Sequence, residues 1–166
     1  MNLEKLYFLQ KELDEKINIT HNLHGHSLTS YKILALNVEL SELANETRCF
    51  KFWSNKKSSP KNIVLEEFVD CLHFILSIGL DLGFDFISFE DIKSIHSSKD
   101  GDISLKFLEV FDSISKLKNS LSKSDYINMF SSFISLANEL NLSESEIEDA
   151  YIQKNNINHL RQEEGY

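Results

Sequence analysis

The chain has 166 residues, a length that suits one domain with a sizeable core. Hydrophobic residues make up 42% of it, with one Pro and five Gly, and they recur at helical spacing almost throughout, which predicts an all-α protein. A formal net charge of −9 excludes general nucleic-acid binding, which needs a basic surface, and acids interrupt every apolar run before it reaches membrane-spanning length.

The opening stretch MNLEKLYFLQKELDEK lacks the basic-then-apolar order of a signal peptide. Cys49 and Cys71 both sit among apolar neighbours and are expected as free thiols in a reducing cytoplasm. Residues 2–18 predict an amphipathic helix with Leu6, Leu9, Leu13 and Ile17 inward. Gln10 and Asp14, four residues apart, share another of its faces. The polar segment THNLHGHSLTS follows. Its histidines, His21, His24 and His26, have neither a fourth ligand nor helical spacing, so the segment reads as a loop and not as a metal site.

A second helix is predicted over about 28–47, carrying Glu39-x-x-Glu42. Glu39, Glu42 and Glu46 fall in one sector, with Ile33, Leu40 and Leu43 on one flank and Leu34 and Val38 on the other. These acids are therefore expected among apolar residues instead of on an outer, solvated face. CFKFWSNKKSSP breaks the pattern, bringing Lys51, Lys56 and Lys57 near the acids, and Pro60 opens the next helix. That helix, about 61–82, carries Glu67-x-x-Asp70 with Phe74 on the same side, while Leu65, Phe68, Leu72, Ile75 and Leu76 point roughly opposite. Residues 83–101 read as an irregular link ending in a Lys-Asp-Gly turn. Helices over about 102–120 and 124–140 carry Leu/Ile/Phe faces without concentrated polar chemistry, suited to packing within or between subunits. The last helix starts after Leu142, with Ser143 as N-cap and Glu146 completing a capping box.

Four carboxylates held near a core repel one another and resist ionisation unless a cation neutralises them. Oxygen ligands without Cys or His at the same spacing favour Mg²⁺, with Mn²⁺ as the substitute. Glu39, Glu42, Glu67 and Asp70 are accordingly read as a magnesium site between two antiparallel helices. The plain alternative, acids on exposed faces, would account for a single pair better than for two. In the final helix Lys154, Asn158 and Arg161 recur at i, i+4 and i+7, a row of cation, amide and cation that suits phosphate oxygens. A solvated helix end, where basic residues favour the dipole, is the alternative. Together with a metal site, the row points to a polyphosphate substrate.

With these motifs the chain resembles the all-α dimeric dUTPases, part of the wider all-α nucleoside triphosphate pyrophosphatase group that includes MazG-type enzymes. The ExxE…ExxD pattern, LQKELDEKI, NETRCFKFW, EEFVDCLHFILSIGL and the terminal KNNINHLRQEEGY carry the resemblance across nearly the whole chain. It implies a helical bundle with a four-helix core forming a single domain over 1–166. It also implies Mg²⁺-dependent hydrolysis of dUTP to dUMP and pyrophosphate by metal-activated water, and of dUDP with release of phosphate. By the same resemblance Glu39, Glu42, Glu67 and Asp70 hold the metal, and Gln10 and Asp14 approach the uracil and sugar. Trp53 and Phe74 form the base pocket, and Lys154, Asn158, Arg161 and Tyr166 contact phosphates and nucleotide. Family members of this type often place an amide where this chain has Asp14. Glu39, Glu42, Lys154 and Arg161 are the residues expected to carry catalysis. A homodimer is implied too, with a repressor-type protein partner for phage-encoded members. The rival readings are a MazG-type or dCTP-directed pyrophosphatase and a helical interaction module with a relic site.

Overall fold

The computed structural model describes residues 1–93 and 102–165. Seven helices account for it, with no strand among the described residues: α1 (Leu3–Thr20), α2 (Thr29–Thr47), α3 (Lys61–Leu82), α4 (Phe89–Lys93), α5 (Ile103–Ser120), α6 (Lys123–Glu139) and α7 (Glu144–Glu163). None is long and apolar enough to cross a membrane. Helix ends follow local chemistry. Asn2, Asp102, Ser122 and Ser143 each accept a backbone N–H of the first turn, and Ser143 with Glu146 forms the predicted capping box. Gly83 closes α3 in the left-handed conformation at φ 70°. Of the segment read as an irregular link, residues 89–93 form α4. Ser88 and Asp91 cap it reciprocally: Asp91 accepts the Ser88 N–H at 2.7 Å, and Ser88 Oγ accepts the Asp91 N–H at 3.3 Å. The predicted Lys-Asp-Gly turn lies outside the described residues.

Helix α3 is the hub. It packs against α1, α2, α6 and α7, and from Val64 to Gly79 most of its side chains are buried. Helices α5 and α6 pair with each other and close the structure beside α2 and α4. Polar contacts fix the directions. Thr29 and Lys32 at the start of α2 meet Asp81 at the end of α3, while Glu46 near the end of α2 meets Ser59 just before α3. The two helices are therefore antiparallel, as the site requires. Lys61 meets Glu146 and Asp70 meets Lys154, so α7 runs parallel to α3. Gln10 meets His73 and Asp14 meets Ser77, so α1 does too.

One close approach sets the depth of this packing. The Tyr126 hydroxyl donates to the Ile75 carbonyl at 2.9 Å and accepts from the Tyr7 hydroxyl at 2.7 Å, both rings being buried. These hydroxyls lie over Gly79, where a Cβ would overlap the Tyr126 oxygen and sit 2.8 Å from Tyr126 Cζ and 3.0 Å from the Tyr7 oxygen. Gly79→Ala is therefore expected to destabilise the protein by about 2–3 kcal/mol in urea unfolding, despite the better helix propensity of Ala. In Tyr126→Phe the clashing oxygen is gone, so the double variant should lose less than the sum of the two singles. A neutral Gly79→Ala would contradict the close approach.

Candidate active site

Helices α2 and α3 cross where Glu39 faces Glu67 and Asp70, and one carboxylate oxygen of each lies within 4.8 Å of the others. The cause is local. Ile33, Leu36, Leu40 and Leu43 bury one side of α2 against Phe68, Leu72 and Leu76 of α3, and Glu39 and Asp70 ride on the shoulders of that contact. Burial, together with the charges of Asp70, Glu42 and Glu67, pushes the Glu39 carboxyl up to about 7. Burial also raises Glu67, with Asp70 and Glu42 adding to the effect. Asp70 is raised by burial in spite of an ion pair that works against it. Glu42 is exposed and outside the convergent trio, yet close enough to act on Glu39 and Glu67. The opposite flank differs from expectation: Leu34 and Val38 are 64% and 48% exposed, because no element among the described residues covers that side of α2.

The cation of the site comes from α7. Lys154, buried, donates to Asp70 at 2.7 Å and to Glu66 at 2.9 Å. Burial works against its charge, but the two carboxylates outweigh that and raise its pKa. Lys154 thus meets carboxylates here, not the solvent of a frayed helix end. Seven residues further along the same face is Arg161, which donates to Asn158 Oδ1 at 3.4 Å.

Between the trio and the far ends of α1 and α2 lies a cavity of about 520 Å³. Glu39, Asp70 and Phe74 line one end, Asn158 and Arg161 the α7 side, and Gln10, Asp14, Lys32, His73 and Ser77 the rest. Asp14 accepts from Gln10 Nε2 at 2.7 Å, from Ser77 Oγ at 2.5 Å and from Lys32 Nζ at 3.4 Å. Lys32 also holds Asp81 at 2.6 Å. Gln10 Oε1 accepts from the Tyr151 hydroxyl at 2.7 Å and sits 2.8 Å from His73 Nδ1. Burial drives the His73 pKa down to about 3, with the nearby Lys154 charge assisting, so its ring is neutral.

The structure thus gathers Glu39, Glu67, Asp70, Gln10, Asp14, Phe74, Lys154, Asn158 and Arg161 around one space. Trp53 stands apart from it, 66% exposed and edge-on to Phe50 and Phe52 in the α2–α3 connection. Lys56 and Lys57 are exposed, and Lys51 turns to Asn45 and the Phe50 ring, so none of these three lines the cavity. Tyr166 lies outside the described residues. His21 bonds Gln162 and His24 lies 4.0 Å from Glu15, while Cys49 and Cys71 are free. Lys32, His73, Ser77 and Glu66 were missed as site residues. The signal was present, since Asp70, His73, Ser77 and Asp81 continue one face of α3 at steps of three and four, and Lys32, Ala35 and Glu39 do the same on α2.

The family model described as dUTPase matches residues 2–166. No curated protein matches the chain. The chain belongs to the all-α dUTPase family, and hydrolysis of dUTP follows from that membership.

The raised Glu39 pKa yields a measurable sign. In the unfolded chain this carboxyl ionises near its ordinary 4.5, but in the folded one near 7, so its contribution to stability is full below about pH 4.5 and lost as pH rises through about 7. A divalent cation bound by the ionised trio offsets that loss. The rise in thermal midpoint on adding Mg²⁺ is thus expected to be larger at pH 8 than at pH 5.5, as differential scanning fluorimetry would read it. Equal rises at both values would contradict the arrangement.

Proposed function

We propose that this dUTPase hydrolyses dUTP to dUMP and pyrophosphate with Mg²⁺, for which Mn²⁺ can substitute, and that it also accepts dUDP. The observation that carries the reading is the meeting of Glu39, Glu67 and Asp70 within 4.8 Å beside a cavity of about 520 Å³, room for a whole nucleotide. Three mutually repelling carboxylates with raised affinity for protons fit a hard dication, and their all-oxygen donor set is the one Mg²⁺ takes. Glu42 completes the set from the next turn of α2. When bound, such an ion neutralises charge developing on phosphate oxygens and lowers the pKa of water beside it.

The chain's own residues supply the rest. Lys154 and Arg161 present a point charge and a planar fork to the phosphates, with Asn158 between them on the same face of α7. Lys154 exchanges its bond to Asp70 for one to a phosphate oxygen, while Glu66 keeps it at the edge of the site. Phe74 offers a ring to the base, with Gln10 and Asp14 lining the same cavity. Glu39 and Glu42 flank the attacking water, and Glu42, outside the trio, takes its proton. Phosphoryl transfer depends mostly on such positioning, so no covalent nucleophile is needed.

We also assign the exposed stripe Tyr31, Leu34 and Val38 to a homodimer interface. These residues stand at i, i+3 and i+7 on α2, and Tyr31 also lines the cavity. A second subunit there would cover the apolar surface and wall the cavity mouth. Two free cysteines suit a cytoplasmic setting.

Glu42→Gln is expected to lower kcat for dUTP by roughly 10²-fold or more while circular dichroism and thermal midpoint stay unchanged. Activity within about twofold of the parent would remove Glu42 from the mechanism. Sedimentation of Leu34→Glu is expected to show a monomer where the parent shows a dimer. A dimer in both would move the interface elsewhere.

A further inference from the structure

Glu66 stands one position before an acid of the trio, yet it serves a different arrangement. Its side chain is 53% exposed, and it is not among the three carboxylates that converge. Among the described residues its side chain bonds Lys154, whose ammonium donates to Glu66 Oε1 at 2.9 Å and to Asp70 Oδ2 at 2.7 Å. Water alone would satisfy an exposed carboxylate. The need lies with the buried lysine, for which burial disfavours the charge and the two carboxylates restore it.

The two anchors of Lys154 differ in kind. Glu66 and Asp70 stand at i and i+4 on α3, one turn apart, and grip the ammonium between them. Asp70 is a member of the trio, so an ion held there draws on the same carboxylate as Lys154 does. Glu66 lies outside the trio and has no such second duty. A lysine carries its point charge on a flexible four-carbon stem with about 2 kcal/mol of rotamer entropy. That charge is therefore only as well placed as its partners make it, and one of the two partners is dedicated to it.

We propose that Glu66 is a positioning residue, which acts through Lys154 by holding its ammonium beside the trio for phosphate oxygens and touches neither substrate nor metal itself. The inference rests on the reading that Lys154 binds the phosphates, and deepens it by naming what aims that charge. The sign of the effect separates this role from a plain field effect. Through charge alone, an acid near a polyanion weakens its binding, so deleting the acid would tighten the complex. A residue that places the cation does the opposite, and its loss loosens the complex.

The test is a double-variant cycle read by calorimetry, with α,β-imido-dUTP as the probe at saturating Mg²⁺ and circular dichroism as the check on folding. Glu66→Ala is expected to weaken binding about three- to fivefold, the scale of a partly exposed ion pair. Glu66→Gln keeps an acceptor oxygen for Lys154 and should recover part of that loss. Lys154→Met keeps the buried stem and should weaken binding more than Glu66→Ala does. In the Lys154→Met background, Glu66→Ala should then leave binding unchanged or tighten it. Tighter or unchanged binding in Glu66→Ala alone overturns the proposal, as does an equal loss in both backgrounds, which would mean that Glu66 acts on the trio or the nucleotide directly. If Lys154→Met itself leaves binding unchanged, the assignment of Lys154 to the phosphates fails, and the role of Glu66 with it.

Discussion

Repulsion among three half-buried carboxylates is the interaction on which this molecule turns. Glu39 on α2 and Glu67 and Asp70 on α3 are held together by the apolar contact beneath them, not by any attraction of their own. The core therefore spends part of its stability on keeping like charges close. Lys154 relieves some of that cost through Asp70, while burial, more than the neighbouring charges, raises the pKa of all three acids. A site strained toward a missing positive charge binds a dication more readily than a relaxed one would.

The same helix that carries the acids also lines the cavity proposed for the base. Along α3, Glu67, Asp70, His73, Phe74, Ser77 and Asp81 mark a polar and aromatic stripe on an otherwise apolar rod. Residues of the stripe meet three neighbouring helices: α2 at Glu39, α7 at Lys154, and α1 at Gln10 and Asp14. The proposed metal, phosphate and base sites thereby share one rigid axis. Their spacing is set by the 1.5 Å rise of a helix, not by the settling of loops.

Much of this was legible in the residues. Periodicity and caps gave the long helices, and the two acidic pairs with Lys154, Asn158 and Arg161 marked most of the polar residues that come together. Short-range grammar failed only at α4, where Ser88-x-x-Asp91 marked a helix start that the surrounding polarity concealed. The partners of each charge were not legible. Lys154 reads as a phosphate ligand in the sequence because nothing there reveals that Glu66 and Asp70 reach it first. Leu34 and Val38 look like core because a wheel shows which residues share a face, not whether another element covers it. The place of His73 was not legible either, since it is set by Gln10, 63 positions away.

The start of α7 has a consequence at some distance from itself. Its Ser143–Glu146 box is clamped to Lys61 at the head of α3, and these contacts hold the Glu146 carboxyl down to about 2. Because α3 and α7 run the same way, that clamp serves as the zero mark of a vernier between two parallel rods. Sliding one rod by a single residue would swing Lys154 through about a quarter turn and carry it off the acids. An exposed corner of the protein, two turns of helix from the chemistry, thus keeps its positive charge in register.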